Sequence, residues 1–103
     1  MIRRESGRIV VSGPVTLDNV AAVLEEGRRH VEEGVATVDL GEVTEMDSSL
    51  LAAMLAWLRD ARLRGRELAF ANLPESLRTI ARLYGLDGLI PVRDTLRETT
   101  ASR

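Results

Sequence analysis

Two spacings of apolar residues alternate along the chain. Thr37 to Leu40 places Val38 and Leu40 against Thr37 and Asp39 with period two, the mark of a strand. After a polar stretch come Asp47-Ser48-Ser49 and then nine consecutive apolar residues, Leu50 to Leu58. That sequence predicts a strand, a loop and a buried helix running from Ser48 or Ser49 to about Arg64, where Gly65 stops it. Upstream, Ile2 to Arg4 and Arg8 to Ser12 flank the turn-forming Glu5-Ser6-Gly7 and predict a β-hairpin that Gly13-Pro14 should end. From Thr16 the period changes to about 3.6, with Leu17, Val20, Ala21, Leu24, Gly27 and Val31 on one side. A helix over about Leu17 to Glu33 follows, with Thr16 as N-cap and Gly34 as its stop. Gly27 inside it costs roughly 1 kcal/mol against alanine, which fits close packing on the sheet or simple tolerance.

The remainder repeats the scheme. Leu68 to Ala71 suits a buried strand, Pro74 opens a helix whose buried stripe is Leu77, Ile80, Ala81 and Tyr84, and Leu86 to Val92 returns as a short strand or extended segment. Asp94 to Glu98 is expected to form a last helical turn, and residues 99–103 a disordered C-terminal tail. The expected architecture is therefore α/β: one domain over residues 1–98, with a mixed β-sheet of about four to five strands covered by about four helices.

The central helix carries more apolar surface than a sheet can cover. Leu51, Met54, Leu55, Leu58 and Ala61 fill an arc of roughly 120°, the core face. Leu50, Ala53 and Trp57 occupy the adjacent arc, and Ala52, Ala56 and Leu63 lie near the far side. In so small a domain a second layer over this helix is hard to supply from within, so Leu50, Ala53 and Trp57 are expected to meet a partner, tryptophan being favoured at interface hot spots. The competing reading is that the alanines are good helix formers and Trp57 wedges against a neighbouring helix. Arg59, Arg62, Arg64 and Arg66 crowd the helix end in different directions, which suits the helix C-terminus better than a phosphate-tracking stripe.

Composition narrows the chemistry. Cysteine is absent and His30 is the sole histidine, so neither a thiol nucleophile nor a metal-ligand spacing exists; no metal and no cofactor is expected. The net charge of −2, with 14 basic residues that are all arginine, gives little support for a nucleic-acid partner. The longest apolar run is about half of the ~20 residues a membrane-crossing helix needs, and Arg3-Arg4 is followed by polar residues where a signal peptide would be apolar. A cytoplasmic location is expected, with membrane contact only through a complex. Asp39, Glu42, Glu45 and Asp47 cluster near the junction without a paired base, an oxyanion device or a phosphate-binding loop, so the chain is not expected to be an enzyme and no catalytic residue is assigned.

What remains is the junction itself. It delivers Ser48 and Ser49 to a helix N-terminus, where unpaired N–H groups favour an acceptor or an anion; a serine there could equally be only an N-cap worth roughly 1 kcal/mol. Asp47 is expected to orient the turn through hydrogen bonds to the backbone.

The segment Val38-Asp39-Leu40-Gly41-Glu42-Val43-Thr44-Glu45-Met46-Asp47-Ser48-Ser49-Leu50-Leu51 resembles the D-L-x-x-V-x-x-[MIV]-D-[ST]-[SG]-G-L hallmark of STAS domains, the fold of anti-sigma factor antagonists and of MlaB, the small subunit of a phospholipid-transporting ABC complex. Ile80 to Leu86, followed by Leu89-Ile90-Pro91, is more similar to MlaB. One position departs from the pattern: Leu50 stands where the family has glycine. The resemblance implies a noncatalytic protein that binds a cytoplasmic ABC ATPase subunit and supports phospholipid transport. Its alternative is an anti-sigma factor antagonist phosphorylated on Ser48 by a partner serine kinase. In either case Ser48 is the implied phosphorylation or partner-contact residue, with Asp47, Ser49, Leu50, Ala53 and Trp57 around it as partner-binding residues.

Overall fold

A computed structural model describes residues 1–93. Four strands, β1 (Ile2–Glu5), β2 (Arg8–Val15), β3 (Thr37–Met46) and β4 (Ala69–Ala71), form one sheet in the order β1-β2-β3-β4. The hairpin pair β1–β2 is antiparallel, and the β2–β3 and β3–β4 pairs are parallel. Between and after them lie α1 (Val20–Glu32), α2 (Ser48–Leu63), α3 (Glu75–Leu83) and a 3-10 turn over Asp87–Leu89. The hairpin closes through Ser6 and Gly7, with Glu5 opposite Arg8.

The register puts Ile9, Val38 and Phe70 side by side, and these residues with Val11 and Leu40 join one core with Val23 and Val31 of α1, Leu51, Met54, Leu58 and Ala61 of α2, and Leu77 and Ala81 of α3. The opposite sheet face sets polar side chains among the buried Val10, Ala69 and Ala71. There Arg8 pairs with Asp39, and Asp39 also accepts from Gly41 N at 2.8 Å and Asn72 Nδ2 at 3.1 Å. Arg3 grips Glu42 through two nitrogens, each at 2.9 Å, an exposed pair that holds the Glu42 carboxyl below its ordinary range.

Four expectations need correction. The strand expected to end at Leu40 before a loop runs on to Met46, because residues 42–46 pair with the extended end of β2. Gly13-Pro14 does not end the second strand, which continues to Val15 with register shifts on either side of Ser12-Gly13. The antiparallel β1 ends opposite Val11, so Pro14 lies beyond the hairpin partner, where a missing N–H is tolerated. Of Leu86 to Val92, expected as a short strand or extended segment, a 3-10 turn takes the first part, while the end is extended and Val92 bridges to Phe70. Tyr84, expected in the buried stripe, is 63% exposed because α3 ends one residue before it. The expected turn at Asp94 to Glu98 and the tail at 99–103 lie outside the described residues.

The largest correction concerns α2. Trp57 is fully buried, Leu50 likewise, and Ala53 is 2% exposed, all three within this chain's own core. The roof over Trp57 is α1. An added Cβ on Gly27 would lie 2.4 Å from Trp57 Cζ2, and the indole Nε1 donates to the Leu24 carbonyl at 3.0 Å. Gly27 is therefore a seat for the indole rather than a packing point on the sheet. Gly27→Ala is expected to destabilise despite alanine's better helix propensity, because a rigid buried ring cannot move aside; a net loss of about 1–2 kcal/mol in urea titration is the expected result.

Candidate functional site

The site starts from the way α2 is capped. Asp47 has extended backbone (φ −133°, ψ −170°) and its Oδ1 accepts from the Ser49 backbone N–H at 2.9 Å. The Ser49 hydroxyl also donates to that oxygen. Asp47 Oδ2 reaches in the other direction and accepts from Leu17 N at 2.9 Å. One carboxylate thus satisfies donors from the α2 N-terminus and from the loop between β2 and α1. The hydrogen bonds from the Ser49 hydroxyl, the Leu17 N–H and the Ser49 N–H favour the ionised form and hold the Asp47 carboxyl below its usual value.

Because Asp47 is the cap, Ser48 is not. Its residue is exposed and its hydroxyl makes no hydrogen bond among the described residues. It sits at the first position of a 16-residue helix whose N-terminal dipole is already met by the Asp47 carboxylate, so its hydroxyl is left free beside that cap. Ser49 is half-buried and committed to Asp47. The structure therefore brings Asp47, Ser48 and Ser49 together at the α2 tip and separates them from Leu50, Ala53 and Trp57, which point inward. The leucine in place of the family glycine is part of this: its side chain is buried and does not stand between Ser48 and a partner.

Leu17, like Tyr84, is a residue that sequence periodicity misplaced. It was expected on the buried stripe of the first helix, but α1 begins at Val20, after a turn in which Asn19 Oδ1 accepts from Thr16 N at 2.9 Å and the Thr16 carbonyl accepts from Asn19 N and Val20 N. Leu17 is left 77% exposed next to the cap of α2. The signal was in the sequence: Thr16-x-x-Asn19 offers a local side-chain-to-backbone turn that competes with an earlier helix start. On the other side of the tip, the Ser76 hydroxyl approaches Met46 S at 3.7 Å, so the start of α3 borders the same region.

The family model described as "Mlab, STAS domain" matches residues 2–91. The chain belongs to the STAS domain family. Solved structures agree on the STAS fold. A Thermotoga maritima protein provisionally named an anti-sigma factor antagonist superposes with a TM-score of 0.75 at 16% identity, covering 99% of this chain and 92% of its own. The anti-sigma factor antagonist SpoIIAA in its unphosphorylated form gives 0.69 at 16% identity, with 91% and 85% covered. The Bacillus cell fate determinant SpoIIAA in the phosphorylated form gives 0.66 at 17% identity, with 100% and 96% covered. The mixed four-stranded sheet and its helices superpose on these structures over nearly the whole chain.

The cap of this STAS domain makes a pH-dependent prediction. Since the Asp47 carboxyl is depressed in the folded protein, its contribution is fully present above its unfolded value near pH 4 and disappears as pH falls through the lower folded value. Asp47→Ala is expected to lower Tm by about 4–8 °C at pH 7, the ordinary effect of losing a cap. The gap between variant and parent should close as the pH falls from the unfolded value through the lower folded one. Thermal melts followed by circular dichroism across that range check both statements; a gap that stays constant with pH contradicts them.

Proposed function

We propose that this STAS domain is a noncatalytic docking subunit that binds a cytoplasmic ABC ATPase through the Ser48 end of α2 and supports that ATPase in phospholipid transport. The observation that carries the reading is the division of labour at the α2 tip. Asp47 performs the capping, leaving Ser48 exposed and without an internal hydrogen-bond partner. A hydroxyl freed from structural work on a fixed helix end is suited to hydrogen-bond a partner across an interface. The match to the family described as MlaB over residues 2–91 supports an ATPase as that partner.

Docking needs no reacting group. Asp47 is engaged by three donors, leaving it a positioning role. Leu17, exposed at the same place, adds apolar surface to the rim.

A second reading rests on the same free hydroxyl: Ser48 is accessible to a kinase, and a phosphate there would add about −2 charge next to the Asp47 carboxylate. Repulsion between the two would loosen the tip and release a bound partner. One experiment separates the readings. The protein is purified at native abundance and its co-purifying chain identified and titrated by calorimetry. Stoichiometric binding to an ABC ATPase supports the first reading. A serine kinase that, with ATP, adds one phosphate to Ser48 by intact mass supports the second and overturns the first.

A further inference from the structure

With Leu50, Ala53 and Trp57 inside, the exposed apolar stripe of α2 is a different one. Leu55, Leu58, Arg59, Arg62 and Leu63, spaced i, i+3, i+4, i+7 and i+8, line a groove of about 390 Å³ closed on the far side by Leu89 of the 3-10 turn. Leu58 is its buried floor, while Leu63 and Leu89 are 77% and 58% exposed. Leu58 and Arg62 continue into a neighbouring depression of about 350 Å³ that Arg66 and Glu67 also line.

The charges along this groove are unbalanced. On other sides of the same helix region acids and bases are matched: Asp60 takes Arg28 at 2.7 Å and Arg64 takes Glu32 at 3.2 Å. Arg59 and Arg62 have no ion pair and no side-chain hydrogen bond among the described residues, in a chain whose net charge is −2. Two unmatched guanidiniums one helical turn apart beside a leucine-lined groove define a complementary shape: apolar side chains in the trough, carboxylates one turn apart on its rim.

We infer that the groove between α2 and the 3-10 turn is a docking site for an acidic amphipathic helix of a protein partner, with leucine-sized residues between Leu63 and Leu89 and carboxylates on Arg59 and Arg62. The stripe is about 12 Å long, two helical turns, which matches the helix-in-groove mode of recognition. An anionic bilayer fits less well: Arg59 and Arg62 with Arg66 and Arg93 of the adjoining depression reach only the lower end of the roughly four to eight clustered bases that such a surface recruits, and Glu67 stands among them. A second copy of this chain presenting the same face would bring arginine against arginine. The site is at the opposite end of α2 from Ser48, so its failure leaves the ATPase reading standing, and the reverse.

The test uses the full chain, isotopically labelled for NMR, and a synthetic helical peptide of about 16 residues with leucines at i, i+3, i+4 and i+7 and glutamates flanking them. The peptide should shift the amides of Leu55 to Leu63 and of Leu89. Arg59→Glu combined with Arg62→Glu should weaken binding about tenfold, as should Leu63→Glu alone; both alter exposed side chains, and melting curves confirm that the variants stay folded. The same peptide with lysine in place of glutamate should bind about tenfold more weakly to the parent protein. Equal binding of the two peptides overturns the inference, as do shifts confined to Ser48 to Leu51. So does a concentration-dependent dimer abolished by Leu63→Glu, pelleting with anionic phospholipid vesicles that Leu63→Glu prevents, or deletion of residues 94–103 that by itself shifts the groove amides.

Discussion

Trp57→Ala is expected to remove about 3–5 kcal/mol of stability, a large share of the roughly 5–15 kcal/mol available to a domain. The indole is fully buried between α1 and α2, seated on Gly27 and hydrogen-bonded to the Leu24 carbonyl. Truncation leaves a cavity that two helices anchored to the same sheet cannot easily collapse into, and it strips α1 of its main contact with α2. A fall in Tm of more than about 10 °C follows. Since Trp57 is the only tryptophan, unfolding is best followed by circular dichroism in urea. A loss below about 1 kcal/mol would mean that α1 does not hold the ring. The same result bears on function: weaker partner binding by Trp57→Ala would report a damaged fold, not a lost contact.

Ser48→Arg is expected to do the opposite. The side chain is exposed, uncommitted and outside the core, so stability should change by less than about 1 kcal/mol, the range of a cation placed against a helix N-terminus. Partner affinity should fall by about a hundredfold or more, because a long cation forced into an interface built for a hydroxyl is desolvated without a matching acceptor. Calorimetry with the ATPase proposed as partner gives the affinity, and a melting curve of the same sample gives the stability. Unchanged affinity with an intact fold would remove the α2 tip from the interface. Taken as a pair, the two substitutions distinguish a residue that builds the domain from one that faces outward.

The order of elements was legible from the alternation over Thr37 to Leu40 and the apolar run of α2, but the extent of β3 was not, because Gly41 to Met46 is polar and reads as a loop until its pairing with β2 is seen. The extent of α2, Ser48–Leu63, matches the expectation to within a residue because Asp47 and Gly65 mark its two ends. Which of its apolar arcs faced a partner was not legible. Periodicity gives the angle between Trp57 and Leu58 but cannot say whether the arc carrying Trp57 meets solvent, a second protein or α1. The missing clue was Gly27, a residue without a side chain in the middle of a helix, whose reason is visible only once the indole is seen above it. The groove of Leu55, Leu63 and Leu89 was hidden for a related reason: Leu89 was assigned to a strand or extended segment, and its place beside α2 depends on the 3-10 turn. The free state of Ser48 needed coordinates too, since Asp47 and Ser48 are both competent N-caps and sequence alone does not rank them.

Asp47 joins positions thirty residues apart in the chain, and the join lies under the surface a partner would touch. The Leu17 loop and the first turn of α2 therefore arrive at an encounter already locked in one relative pose. Little disorder is left for a binding partner to quench there, so recognition at this end resembles a key meeting a finished lock, and the dissociation rate becomes the quantity most open to tuning.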